Sequence, residues 1–168
     1  MTDKTKPEDL EIRIGVPEDL DRLMEISMMA CDENGFVNPD KEKLLSEIWQ
    51  GLVRNHGIVG IIGKPGEQIE GAVLLRIGAM WYSHDLVAEE KAIFVHPDFR
   101  KGKVRHAQIL CEFSKKVADE LGIPLMIGVL SNHRTQAKVR LYERQFGPPS
   151  GAFFLYGAKT GDYHVTEH

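Results

Sequence analysis

Cysteine is scarce in this sequence. Cys31 and Cys111 are its only two, and they lack the Cys-x-x-Cys spacing of a zinc or redox motif. A disulfide between them is open on paper but disfavoured in a reducing compartment. Long apolar runs are missing too, and none approaches the roughly 20 residues a membrane span needs. The opening Met1-Thr2-Asp3-Lys4-Thr5-Lys6-Pro7 is polar and has no apolar stretch of the signal-peptide kind. These absences predict a cytoplasmic protein with no membrane partner. Basic excess is also lacking. Lys and Arg number 21 against 25 Asp and Glu, a formal net charge of -4, and the pI is near 6.0. That balance argues against nucleic acid as the main partner. The seven histidines show no Cys or carboxylate spacing for zinc, so no metal is expected. Internal repeats, low-complexity stretches and linkers are absent as well.

What is present reads as an ordinary globular chain. Hydrophobic residues make up 42% and charged residues 27% of 168, enough for one domain over 1–168 with a real core. Residues 1–8 and 159–168 are expected to be loose tails. The chain is organised around 92–121. Ala92-Ile93-Phe94-Val95 is apolar, and Pro97 ends it because proline has no N–H for a ladder. A basic turn follows, with Arg or Lys at four of the six positions from Arg100 to Arg105. Then Ile109, Leu110, Phe113, Val117 and Leu121 recur at helical spacing. A strand thus runs through a cationic turn into a helix. Free N–H groups and the positive dipole end at such a start suit a phosphate.

The rest of the chain is read in order. Leu10, Ile12 and Ile14 alternate with polar residues as a half-buried strand. A helix opens at Pro17 and fades near Asp32-Glu33-Asn34-Gly35, and a second follows Asn38-Pro39-Asp40. Strands are predicted over 58–62, 69–81 and 86–95, joined as antiparallel hairpins. After the long helix, which Gly122 ends, a strand runs from Pro124 to Leu130 and a helix from His133 to Gln145. A last strand covers Ala152 to Tyr156. The order is β-α-α-β-β-β-α-β-α-β. The helix between the last hairpin strand and 124–130 makes a right-handed parallel crossover. The fold class is α/β (α+β), a mixed, mostly antiparallel sheet flanked by helices.

This order resembles the GNAT N-acetyltransferase superfamily over nearly the whole chain. The residues that carry the likeness are Val95-x-Pro97-x-x-Arg100 before the long helix, Leu141-Tyr142-Glu143-Arg144 with Phe146-Gly147, and Asn132. One departure stands out. The family's turn reads Arg/Gln-x-x-Gly-x-Gly/Ala, but Lys103 and Arg105 occupy the glycine positions and Gly102 falls one place early. Lys and Arg supply charge where glycine allows close backbone approach. The pattern is similar to phage-type members of a divergent branch.

The resemblance implies acetyl transfer from acetyl-CoA to an amine. It implies that Ile93, Phe94 and Val95 pair their backbone with the pantetheine arm, as an added strand would. The Val95 N–H is then a candidate for polarising the thioester. The diphosphate seat would be Arg100, Lys101, Gly102, Lys103, Val104, Arg105 and His106. The alternative is a merely solvated basic turn. Tyr142 is the candidate acid for the leaving thiolate, or else a core tyrosine. Glu89 is the candidate base, since plain alternation puts it on one face with Lys91, Ile93 and Val95. Glu90 is the runner-up, because a bulge would exchange the faces. Asn132 binds the cofactor or caps a helix. His96 titrates near neutral pH or is simply exposed, and Cys111 is a packing residue. Trp81 and Tyr82 are candidate walls of the acceptor pocket, and Trp49 reads as core or wall. The acceptor is a small-molecule or peptide amine, and the fold leaves room for a homodimer through the last strands. The rival reading is a non-catalytic module of the same fold that binds CoA or another phospholigand.

Overall fold

The computed structural model describes residues 10–101, 105–130 and 135–158. Gly102, Lys103, Val104 and Asn132, and the expected loose tails, lie outside the described residues. The first helix, α1 (Leu20–Asn34), follows a 3-10 turn over Pro17–Asp19 and ends on Gly35 at φ 62°. Asp19 in that turn is buried, with Arg13 gripping both its oxygens at 2.8 Å. Helix α2 (Lys41–Leu52) starts where the Asp40 carboxylate accepts the Lys43 N–H. Helix α3 (His106–Leu121) ends on Gly122 at φ 65°, and α4 spans Thr135–Phe146.

Five strands form one sheet in sequence order: β1 (Ile12–Ile14), β2 (Gly57–Ile62), β3 (Gly71–Ala79), β4 (Leu86–Val95) and β5 (Leu125–Met126). The first four run antiparallel, and β5 lies parallel to β4. Leu23, Ile26, Ile48 and Leu52 of α1 and α2 pack with Val59, Ile61 and Phe94 on one face. Leu110, Cys111 and Val117 of α3 pack with Val73, Leu75 and Ile93 on the other, and Leu141 and Tyr142 of α4 join them. Cys31 and Cys111 are free thiols in these opposite layers.

Two expectations fail in the strands. Only Leu125–Met126 of the expected strand 124–130 is laddered. Residues 152–156 form no strand, and Phe153, Phe154 and Tyr156 stand exposed. Their strand-type composition has no ladder partner within the described chain, and pairing decides strand formation more than propensity does.

The β3–β4 ladder carries an irregularity that sets up the site. Leu74 faces Ala92, but Leu75 faces Glu90, which leaves Lys91 unpaired as a bulge. Cross-strand partners share a face. Glu90 therefore lies with Leu75, Val73 and Ile93 on the α3 face. The expectation that Glu89 shares the Ile93 face is overturned by this one extra residue.

Candidate active site

The ladder between β4 and β5 stops at Ala88–Leu125 and Glu89–Met126. From Glu90 to Val95, β4 continues without a strand on that side, so the two strands open into a cleft. The His96 N–H donates to the Glu70 carbonyl at 2.8 Å toward β3. Antiparallel alternation then turns the N–H and C=O of Val95 and Ile93 toward the cleft. Among the described residues, the edge that the resemblance assigns to pantetheine has no strand partner.

Two cavities occupy this cleft. The larger, about 530 Å³, runs from Ile93–Val95 to Arg105–Gln108 at the start of α3 and is closed by α4 through Leu141 and Tyr142. The smaller, about 360 Å³, lies between the end of α1, the Glu89–Phe94 segment and 126–130. Glu33, Ile93, Phe94, Lys138 and Tyr142 line both. Trp49, Trp81 and Tyr82 line neither, and Trp81 and Tyr82 are exposed in the β3–β4 loop, stacked edge to face.

Tyr142 stands where the cavities meet, with its ring 5.8 Å from Phe146. Burial raises its pKa above the usual tyrosine range, and the nearby Glu90 charge adds to the shift, so the phenol stays protonated. Glu90 points inward beside it. Burial lifts its carboxyl to about 7, while Lys138 and a backbone hydrogen bond from Gly128 hold it down. Glu89, by contrast, is half-exposed at the smaller cavity and paired with Lys91 at 2.9 Å. Cys111 lies under the site, its thiol pushed up to about 12 chiefly by burial, which suits a packing residue rather than a nucleophile.

The basic corner is only partly open toward the larger cavity. The Arg100 guanidinium donates to both Glu33 oxygens at 2.7 and 3.0 Å, and its Nε–H donates to the Val95 carbonyl at 2.8 Å. It also lies 4.8 Å from the Phe94 ring centre. Arg105 is exposed and donates to Gln108 at 3.1 Å, and Lys101 is exposed without lining either cavity. His106, the first residue of α3, is 4% exposed. Its Nε2 is 3.5 Å from Glu70, and its Nδ1 has no partner among the described residues. His96 is set against Asp98 at 3.7 Å and accepts the Asp98 N–H on Nδ1 at 3.2 Å. An orphaned buried ring nitrogen and the free amides of a helix start, both beside the larger cavity, fit an anionic head group. The bare β4 edge fits an amide-bearing arm. Among the described residues no cluster of three His, Cys, Asp or Glu side chains is arranged for a metal.

Glu33 and Lys138 were not singled out from the sequence. Glu33 left one signal, because a carboxylate in the last turn of a helix opposes the dipole. Lys138 left none.

No family model matches the chain, and no curated relative does. Solved structures do match. A predicted acetyltransferase from Clostridium acetobutylicum with acetyl-CoA superposes with a TM-score of 0.66 at 12% identity, covering 87% of this chain and 94% of that one. AAC(6')-Iy in complex with the bisubstrate analogue CoA-S-monomethyl-acetylneamine gives 0.65 at 17%, covering 88% and 96%. An aminoglycoside acetyltransferase from an uncultured soil metagenomic sample, in complex with sisomicin, gives 0.62 at 16%, covering 89% and 97%. The chain has the mixed, mostly antiparallel fold of these acetyltransferases, the GNAT fold.

Proposed function

We propose that the protein transfers an acetyl group from acetyl-CoA to a primary amine of a small molecule or peptide. The observation that carries this reading is the meeting of two cavities at Tyr142, with the inward Glu90 carboxylate beside it. The larger cavity takes the donor. The β4 edge receives its arm, and the start of α3 with His106 receives the diphosphate, together with Lys101–Arg105 of the basic turn. The smaller cavity takes the amine. The acetyl-CoA and bisubstrate complexes among the similar structures support a donor of this kind, and the sisomicin complex supports a small amine acceptor.

The step is a direct transfer. Glu90 accepts the proton that the amine sheds as nitrogen bonds to the thioester carbonyl carbon. The Val95 N–H polarises that carbonyl. As the carbon–sulfur bond breaks, Tyr142 gives its phenolic proton to the thiolate. Glu90 rather than Glu89 is assigned the base, because Glu89 is committed to Lys91 at the surface. The phage-type affinity of the turn, its glycine positions filled by Lys103 and Arg105, is carried forward as part of this proposal. So is the homodimer, through the exposed Phe153–Tyr156 segment.

A thiol-release assay over a panel of amines tests the function. Release with one or more amines is expected, and acetyl-CoA binding without release on any would favour the non-catalytic module. One observation speaks for that second reading: Arg100, the turn's leading cation, is occupied by Glu33.

A further inference from the structure

Among the described residues, Glu33 is the one carboxylate that lines both cavities, and it holds Arg100 by both oxygens. Arg100 lines the larger cavity only. The pair is not fully desolvated, since the Arg100 side chain is 16% and the Glu33 side chain 36% exposed. Arg100 is the more buried partner, so a group that displaces Glu33 must bring negative charge of its own. Its position is also locally unfavourable, because Glu33 sits in the last turn of α1, where the dipole repels a carboxylate. A residue that breaks a local rule at the junction of two cavities calls for a compensating role.

We propose that Glu33 and Arg100 form an exchange latch between donor and acceptor. In the absence of donor, the Glu33 carboxylate acts as an internal stand-in for the donor's anionic group on Arg100. A diphosphate in the larger cavity takes over the guanidinium N–H groups now given to Glu33. The Val95 carbonyl keeps its bond from Nε–H, so the guanidinium turns about a fixed point. The released Glu33 carboxylate then faces the smaller cavity as a seat for the acceptor's ammonium group. The donor thereby raises acceptor affinity, and linkage requires the acceptor to raise donor affinity by the same factor. The latch rests on the acetyltransferase reading, and it makes Glu33 a residue that determines acceptor specificity for cations.

The sign of one substitution separates the latch from a structural ion pair. With free CoA as titrant in calorimetry, Glu33→Gln is expected to bind CoA about five-fold tighter than the unmodified chain, at the lower end of ordinary coupling between linked sites. Arg100→Ala is expected to bind it more weakly, and in that background Glu33→Gln adds nothing. Adding 1,4-diaminobutane should tighten CoA binding to the unmodified chain and leave Glu33→Gln unaffected. Thermal melts confirm that each variant is folded, and Glu33→Asp serves as a second probe, expected to fall between Glu and Gln. Equal or weaker CoA binding by folded Glu33→Gln overturns the latch while leaving the acetyltransferase reading intact. No diamine effect on the unmodified chain overturns the acceptor half. No CoA binding by the unmodified chain overturns the reading and the latch together.

Discussion

Glu90 and Glu89 are neighbours with opposite fates, and kinetics should tell them apart. Glu90→Gln is expected to lower kcat by roughly 10²–10⁴, the usual worth of a positioned base. Glu89→Gln removes an exposed ion pair and should change kcat by no more than about two-fold. Under the proposed reaction, the rate of the unmodified chain should rise with pH through about 7, as Glu90 gives up its proton. Stability should move the other way. Folding raises this carboxyl's pKa, so the folded chain holds the extra proton between the ordinary 4.5 and about 7. Glu90 therefore contributes fully below that window and less above it. Glu90→Gln should stabilise the fold at pH 8 by roughly 1–2 kcal/mol, with no gain at pH 4, as melts at the two pH values would show. Tyr142→Phe should cut kcat about 10²-fold and leave donor KM within roughly two-fold. An unchanged kcat would return Tyr142 to the core. Asp19 behaves in the ordinary sense. Its hydrogen bonds from Arg13 lower its pKa, so its contribution is present at neutral pH and is lost as pH falls below 3.8. Asp19→Asn should cost about 2 kcal/mol at pH 7, and the gap should close in acid.

At the scale of elements, helices were the most legible part of the sequence. The apolar stripes, the Asp40 cap and the glycines at 35 and 122 all mark real boundaries. Strand existence was legible too, but strand register was not. Nothing in Glu89-Glu90-Lys91 announces which residue drops out of the ladder, because a bulge is chosen by packing across strands rather than by local composition. One skipped residue moved the candidate base by one position. The same ladder gives a clean packing test. A Cβ on Gly60 would stand 2.7 Å from the Phe113 ring of α3, whereas one on Gly78 would meet nothing within 4 Å. Gly60→Ala should cost about 1–3 kcal/mol through overpacking. Gly78→Ala, at ordinary strand dihedrals, should be neutral or gain up to about 1 kcal/mol. Chemical denaturation of the two variants checks both.

For the molecule as a whole, the structure lines one cavity with Ile93–Val95 and Tyr142, and the order of elements was readable as far as α4. The end of the chain was not. The apolar run Phe153-Phe154-Leu155-Tyr156 reads as a strand, yet strand formation needs a partner that a sequence does not display. If that partner is a second copy, Phe153→Asp with Phe154→Asp should halve the mass measured by sedimentation and leave the melting temperature little changed. An unchanged mass would remove this segment from the dimer.

The half-paired strand at the centre of the cleft has one more consequence. An unladdered strand edge, such as the one that carries the outward amides of Ile93 and Val95, is the kind of surface on which polypeptides stick to one another and precipitate. Here α3 and α4 wall the larger cavity along that edge. With a helix on each side of it, the exposed edge faces a cavity rather than open solvent, so another chain cannot lie flat along it.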